Sequence, residues 1–216
     1  MIWVVRIFTT SIGKKQLMAL TGLLFLLFLA THLLGNLSIY GGQGAFISYA
    51  EHLHALGKLL VVAEVGLVVA LLIHITLAVI LFFENRKARP IQYAVDKSGG
   101  GGRTFSSQTM PYTGFLILAF VIFHLATFSH HIVDQTHRNI FQIAYELFSN
   151  KGILIFYLAA MVVVALHVRH GLWSAFQTIG ANHPKYMPFI EWLSIIFAII
   201  VAVGFGSLPL AILALK

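Results

Sequence analysis

The chain has 216 residues, of which 59% are hydrophobic and only 10% charged, with a formal net charge of +7. Soluble domains carry about 25% charged residues, so this composition excludes an ordinary soluble domain and indicates an integral membrane protein. The sequence has no cysteine, which excludes disulfides, C-x-x-C-H haem attachment and a cysteine-ligated iron–sulfur cluster in this chain. Basic cytoplasmic loops account for the positive charge without nucleic acid as a partner.

Five segments are long and apolar enough to cross a lipid bilayer, which takes about 20 mainly apolar residues. In chain order they run over residues 16–37, 59–83, 112–133, 153–176 and 189–213. The sequence therefore predicts an all-α fold, an integral membrane bundle of five transmembrane helices that forms one domain over residues 1–216.

The distribution of basic residues predicts the orientation of these helices. With the N-terminus inside, ten of the fourteen Lys and Arg residues fall on inner segments and four on outer segments. This positive-inside bias places the N-terminus in the cytoplasm and the C-terminus outside. The ten inner residues are Arg6, Lys14, Lys15, Arg86, Lys87, Arg89, Lys97, Arg103, Arg169 and Lys185.

The longest predicted inner loop, residues 84–111, contains the run Gly99–Gly102. Four consecutive glycines are typical of a flexible linker. Neither this run nor the glycines at 41–44 fits a dinucleotide or P-loop pattern, so nucleotide binding is not expected.

Each of the first four predicted helices contains one histidine within its apolar run: His32, His74, His124 and His167. An ionisable side chain inside a membrane is costly and usually marks function. Four separate interhelical hydrogen bonds would be the plain structural explanation. Since neutral imidazole is a good ligand for iron, we instead predict that all four are axial ligands of haem iron.

Depth along the helices sorts these histidines into two pairs. At 1.5 Å per residue, His32 and His124 lie ~25 Å and ~21 Å from the inner ends of their helices, whereas His74 and His167 both lie at ~15 Å. We call His32 and His124 the outer pair, and His74 and His167 the inner pair. Two pairs at two depths predict two bis-histidine haems stacked across the membrane. The intervals of 42 and 43 residues within each half suggest two similar helical hairpins followed by a fifth helix.

His170 competes with His167, because three residues on a helix leave the two side chains only ~60° apart in direction. We favour His167 as the ligand, since its depth matches that of His74. Arg169 and His170 then lie nearer the inner surface, where they are candidates for binding haem propionates. For Arg169, extension to the lipid headgroups is an equally good explanation.

The pattern of helices and histidines resembles a known family. A five-helix chain with one ligand on each of its first four helices is similar to the b558-type cytochrome b anchor of succinate:quinone oxidoreductases. Three stretches carry the resemblance: KQLMALTG at 15–22, THLLGN at 31–36 and, most specifically, HVRHGLWSAFQTIG at 167–180. In that family the first histidine of the last stretch is the ligand, which corresponds to His167.

The resemblance implies a subunit of succinate dehydrogenase, respiratory complex II of the tricarboxylic acid cycle, in a prokaryotic inner membrane. A flavoprotein subunit with FAD and an iron–sulfur subunit would be its partners, and this chain would bind two haem b groups and exchange electrons with a quinone, expected to be menaquinone. The basic inner face is a plausible docking surface for the soluble partners, or simply positive-inside bias. The physiological direction and any higher oligomer stay open.

Quinone reduction takes up two protons and so needs a titratable group near a haem. Glu51, in the predicted loop after the first helix, is the best outer candidate for this proton acceptor. The family carries a glutamate in the corresponding region, and a solvated loop carboxylate is the alternative. Glu64 lies near the outer end of the second helix and has no assigned role, nor do His52, His54, His130 and His131.

Two other functions fit the same helices. One is a diheme cytochrome b that anchors a different dehydrogenase, of the formate dehydrogenase or hydrogenase type. The other is a haem-free transporter that moves protons on its buried histidines. A transporter would need interrupted helices at matched positions, and the sequence shows no convincing pair.

Overall fold

The computed structural model describes residues 9–88 and 105–215, and these residues form helices and turns without any strand. Five helices are long and apolar enough to cross a membrane, which confirms the predicted five-helix membrane bundle. Two shorter helices lie in the connections. In chain order the helices are α1 (Ser11–Asn36), α2 (Gln43–His54), α3 (Lys58–Lys87), α4 (Phe105–Phe128), α5 (Ile140–Ser149), α6 (Lys151–Thr178) and α7 (Met187–Ala214).

Polar side chains at the helix starts bind backbone N–H groups that have no partner within the helix. The Thr10 hydroxyl accepts a hydrogen bond from Gly13 N at 3.2 Å at the start of α1. The Asn150 side chain accepts from Gly152 N and Ile153 N at the start of α6. Asn139 and Gln142 form a reciprocal capping box that begins α5. Such caps stabilise helices by about 1 kcal/mol each and fix where they begin.

The third membrane helix differs from its predicted range of 112–133. It begins at Phe105 and includes Pro111, which removes one backbone hydrogen bond from the interior of the helix. It ends at Phe128, and a turn follows in which Ser129 O accepts hydrogen bonds from Ile132 N and Val133 N. His130 and His131, predicted at the end of this helix, therefore lie in the turn beyond it.

The inner loop is shorter than predicted, since its two ends are helical. Glu84–Lys87 belongs to α3, and Phe105–Pro111 belongs to α4. The glycine run at 99–102 lies outside the described residues. So do five basic residues counted above: Arg6, Arg89, Lys97, Arg103 and Lys216.

The centre of the bundle is formed by α1 and α6. Helix α1 packs on α3, α6 and α7, and helix α6 packs on α4, α1 and α7, whereas α3 and α4 touch only briefly. Buried residues between α1, α6 and α7 include Leu26, Val164 and Val201. The opposite faces expose large apolar side chains such as Val62 and Phe115, as expected for helices whose outer surface meets lipid.

The connections α1–α3 and α4–α6 both lie at one end of the bundle, which we call the outer end after the predicted orientation. Each contains a short helix, α2 or α5, and these two helices contact each other. Phe46 of α2 and Phe141, Ala144 and Phe148 of α5 pack into a shared core. Glu51 was predicted in a loop, but the structure places it on α2, because the apolar side of that segment has a core to cover.

Two contacts fix α1 against its neighbours. At the inner end the largely buried Lys14 forms an ion pair with Glu84 of α3. At the outer end Gly35 lies so close to Tyr49 of α2 that a Cβ atom on Gly35 would overlap the tyrosine ring and hydroxyl. A larger residue at position 35 would therefore have to displace the Tyr49 ring.

Candidate functional site

The outer pair of histidines is brought together across the bundle. The ring centroids of His32 on α1 and His124 on α4 are 6.1 Å apart, and the ring planes are inclined by 85°. An imidazole nitrogen binds a first-row metal at about 2 Å, and the ring centroid lies about 1 Å further, so two rings on one metal ion stand roughly 6 Å apart. The separation of His32 and His124 therefore suits two axial ligands of one haem iron.

Aromatic side chains enclose the outer pair. Phe28 stacks on His32 at 5.2 Å between ring centroids, and Phe120 stacks on His124 at 5.7 Å. Phe205 of α7 approaches His32 to 5.6 Å. These rings surround the two imidazoles with apolar side chains.

The Nδ1 atoms of the outer pair face polar groups of the protein. His32 Nδ1 lies 3.5 Å from Nδ2 of Asn36, and His124 Nδ1 lies 3.5 Å from the Tyr157 hydroxyl. These distances are at the long limit of a hydrogen bond. Asn36 Nδ2 is an amide donor, so the contact at His32 makes Nδ1 the acceptor and does not leave Nε2 as the free nitrogen, whereas the Tyr157 hydroxyl can accept from His124 Nδ1–H.

The inner pair is held by two equivalent threonines. His74 Nδ1 lies 3.0 Å from Oγ1 of Thr21 on α1, and His167 Nδ1 lies 3.0 Å from Oγ1 of Thr113 on α4. Each threonine hydroxyl also lies 3.0–3.1 Å from carbonyl oxygens of the preceding turn of its own helix, to which it donates. Its lone pair then accepts from the histidine Nδ1–H, so Nε2 is unprotonated and free to bind a metal.

Each threonine is followed by a glycine against which the imidazole lies. A Cβ atom on Gly22 would stand 3.6 Å from Cε1 of His74, and one on Gly114 would stand 3.6 Å from Cε1 of His167. There is room for a methyl group but not for a larger side chain. The Thr-Gly pairs thus set both the hydrogen bond and the close approach of each inner histidine.

These contacts reveal a repeat that the histidine intervals only suggested. Thr21–His32 and Thr113–His124 each span 12 residues, and 6 of the 12 aligned positions are identical, including the threonine, the glycine, the stacked phenylalanine and the histidine. One such helix supplies an outer-pair histidine and the threonine that holds an inner-pair histidine. The repeated Thr-Gly pair is visible in the sequence, although only the packing gives it meaning.

Within the described residues, His74 and His167 make no ring contact with each other, unlike the outer pair. His167 is within electrostatic range of both His74 and His170. The described structure thus places the two members of the inner pair in one region, each held by its own Thr-Gly pair. Their role as axial ligands remains a prediction, as does that of the outer pair.

Arg169 and His170 line a polar cavity at the inner end of α4, α6 and α7. Ser106, Trp173, Glu191 and Ser194 complete its lining. His170 Nδ1 and Ser106 Oγ are buried there without a hydrogen-bond partner. Buried polar atoms normally have partners, and the cavity, about 20 Å³ in volume, has room for one water molecule beside the carboxylate of Glu191. The binding of haem propionates by Arg169 and His170 stays a prediction.

The predicted quinone-site residue Glu51 is exposed on α2. Its proposed proton-acceptor role stays a prediction. Glu64, by contrast, contacts both His130 and His131 in the turn after α4. The sequence alone does not indicate that these three residues lie together, because 66 positions separate Glu64 from His130 along the chain.

Comparison of the chain with protein-family models, with curated proteins and with solved structures found no significant match. The resemblance noted in the sequence therefore stays a prediction.

Proposed function

We propose that this chain is the membrane-anchor cytochrome b subunit of a succinate:quinone oxidoreductase. It would bind two haem b groups and pass electrons between an iron–sulfur subunit and a quinone, most simply menaquinone. The observation that carries the proposal is the repeated geometry, in which His32 and His124 face each other at 6.1 Å and the Thr-Gly pairs hold His74 and His167 equivalently.

The donor chemistry supports haem rather than another metal group. All four candidates are imidazoles, and together with the absence of cysteine this excludes a thiolate centre in the chain. Neutral imidazole on each side of an iron is the ligand set of a low-spin b-type haem. In the inner pair, the hydrogen bonds from Nδ1 of His74 and His167 to Thr21 and Thr113 favour the tautomer that such ligation needs, and partners of this kind are part of the design of metal sites.

Within this scheme each part of the chain has a defined task. Bound haems would supply one-electron carriers at two depths of the membrane. Thr21 and Thr113 orient the inner imidazoles, and Phe28 and Phe120 hold the outer imidazoles in place while keeping water away. Arg169, His170 and Ser106 offer donors to propionates at the inner end.

The rest of the enzyme must lie on partner subunits. Without cysteine the chain cannot provide the iron–sulfur relay, and it has no dinucleotide fingerprint for FAD. We therefore expect a flavoprotein subunit and an iron–sulfur subunit on the inner side of a prokaryotic cytoplasmic membrane. The basic residues of the inner face would form the docking surface for these subunits. Two of these residues already have partners within the chain: Lys14 is paired with Glu84, and Arg86 lies 4.9 Å above the Phe82 ring.

A haem count on the purified protein tests the proposal. The reduced-minus-oxidised spectrum and the pyridine haemochrome assay should show two b-type haems per chain. A preparation that contains no haem, even when haem is supplied during expression, would contradict it. Co-purified subunits with FAD and iron–sulfur clusters that oxidise succinate would identify the enzyme, whereas a formate dehydrogenase or hydrogenase partner would assign the same cytochrome to another complex.

A further inference from the structure

A second group of metal-binding side chains lies at the outer end of the bundle, outside the four-histidine site. Glu64 projects from the second turn of α3, and His130 and His131 come from the turn that follows α4. His54, the last residue of α2, is adjacent: its ring centroid lies 4.6 Å from that of His130. Three separate segments of the chain thus bring one carboxylate and three imidazoles together.

The distances within this group are short. His131 Nε2 lies 2.9 Å from Glu64 Oε2, and His130 Nδ1 lies 3.8 Å from Glu64 Oε1. The two histidine rings are 3.9 Å apart between centroids. One ligand atom from each of Glu64, His130 and His131 falls within 4.8 Å of the others, so small side-chain adjustments bring all three into the first coordination sphere of one ion.

We propose that Glu64, His130 and His131 bind a divalent transition-metal ion of the zinc type at the outer end of the bundle. Two imidazoles and one carboxylate form a set that zinc accepts with an open fourth position. The same set is too rich in nitrogen for Mg²⁺ or Ca²⁺, which prefer oxygen ligands. His54 is placed beside the group as a further imidazole.

Charge and access favour such an ion. The Glu64 carboxylate, which faces both His130 and His131, supplies a negative charge for a dication. The side chains of His130, Glu64 and His131 are 29%, 35% and 55% exposed, so an ion can enter from the outer solution.

An ion bound by Glu64, His130 and His131 would also affect the stability of the bundle, because these residues come from different parts of it. Glu64 belongs to the α1–α3 hairpin, whereas His130 and His131 follow the first helix of the α4–α6 hairpin. The two hairpins pack on each other through α1 and α6, but α3 and α4 touch only briefly. An ion held by all three side chains would therefore add a link between α3 and the turn after α4 and stabilise this side of the bundle, independently of whether haem is present.

Zinc titration of the intact, tag-free protein in detergent tests this proposal. After treatment with EDTA, isothermal titration calorimetry and dialysis with elemental analysis should find one saturable Zn²⁺ site per chain, with no comparable binding of Mg²⁺. His131→Ala and Glu64→Gln should weaken that site at least tenfold. His137→Ala, which removes an exposed histidine from the same connection, is the matched control and should bind like the parent protein.

Thermal unfolding supplies a second measurement that does not depend on any enzyme activity. Zn²⁺ should raise the melting temperature of the parent protein and of His137→Ala, and it should leave that of His131→Ala unchanged. If a variant loses its helical circular dichroism, the conservative Glu64→Gln change still decides the question. Absence of saturable binding, or equal affinity in the parent protein and both cluster variants, would overturn the proposal and leave Glu64 with ion-pair partners only.

Discussion

The hydroxyl of Thr21 lies 3.0 Å from Nδ1 of His74, and it joins α1 to α3 near the middle of the bundle. Thr113 and His167 repeat the contact at the same distance between α4 and α6. The two halves of the chain thus present an imidazole in the same way, with Nδ1 bound and Nε2 free. This equivalence links the predicted haem ligands to a hydrogen bond that can be removed without touching a ligand.

Replacing Thr21 with valine should weaken haem binding at the inner pair. The change keeps the shape of the side chain but removes the acceptor for His74 Nδ1–H, and loss of such a partner typically costs 10- to 100-fold in metal affinity. Haem content and redox titration should show one affected haem, and Thr21→Ser should restore it. Thr31→Val is the matched control, because Thr31 is exposed on the same helix and bonds only to carbonyls of its own preceding turn. Equal effects of Thr21→Val and Thr31→Val would contradict this role.

Single replacements of the histidines should reveal the pairing. His32→Ala and His124→Ala should remove the same haem, and the double variant should still contain the other, because both ligands serve one iron. His74→Ala and His167→Ala should together define the second haem. Pyridine haemochrome counts and the low-temperature spectra of the remaining haem measure this outcome.

His170→Ala provides the contrast for the inner pair. Since His170 lies in the cavity near Arg169 rather than against a Thr-Gly pair, this variant should retain two haems, with at most a shifted potential for one of them. If His170→Ala loses a haem and His167→Ala retains both, then His170 is the ligand and His167 is not.

A methyl group at position 35 should destabilise the outer end of the bundle. Gly35→Ala places its Cβ against Tyr49, and forcing an extra carbon into a packed contact usually costs about 1–3 kcal/mol. The melting temperature should fall, and Tyr49→Ala in the same chain should recover part of the loss. Gly44→Ala is the control, since a Cβ there meets open space on α2. A fall of equal size at both glycines would mean that the Tyr49 contact is not the cause.

A residue could be identified from the sequence when its chemical type differed strongly from that of its neighbours along the chain. A histidine in an apolar run is conspicuous at any depth, so all four candidates could be identified before folding. Threonine can satisfy its hydroxyl on its own helix, so Thr21 and Thr113 carry no such signal until α3 and α6 pack against them. The group of Glu64 with His130 and His131 depends on the end of α4 at Phe128, which hydropathy alone placed five residues too late.

The two short helices of the outer connections, α5 and α2, also differ in how far the sequence predicts them. The capping box of Asn139 and Gln142 is a local signal, and it does begin a helix in the structure. Helix α2, by contrast, is preceded by Gly42, which has a positive φ of 96° and no side chain to cap the helix with. Its presence depends on the apolar contacts of Phe46 with the core of α5, which no local pattern of residues specifies.

Glu51 offers a direct test of the predicted quinone chemistry. If its carboxylate takes up the quinone proton, Glu51→Gln should lower succinate–quinone activity by 10-fold or more, because positioned acid–base groups contribute about 10²–10⁴-fold to rates. Haem content should not change, since Glu51 is exposed on α2. Glu146→Gln, which removes an exposed acid of α5 paired with Arg138, should leave the activity intact. Unchanged activity in Glu51→Gln would return this residue to a solvated surface role.

Quinone chemistry at the outer end would also make turnover respond to the membrane potential. Electrons from an inner iron–sulfur subunit would then cross most of the bilayer through the inner and outer pairs, and each charge moved is worth about 2.3 kcal/mol per 100 mV. Succinate oxidation by a low-potential menaquinone is uphill without such help, so an uncoupler should slow this reaction in intact cells or sealed vesicles. Succinate oxidation by a soluble dye that accepts electrons from the flavoprotein side is the control and should not respond. If the menaquinone reaction is equally indifferent to the uncoupler, the quinone must react at the inner side.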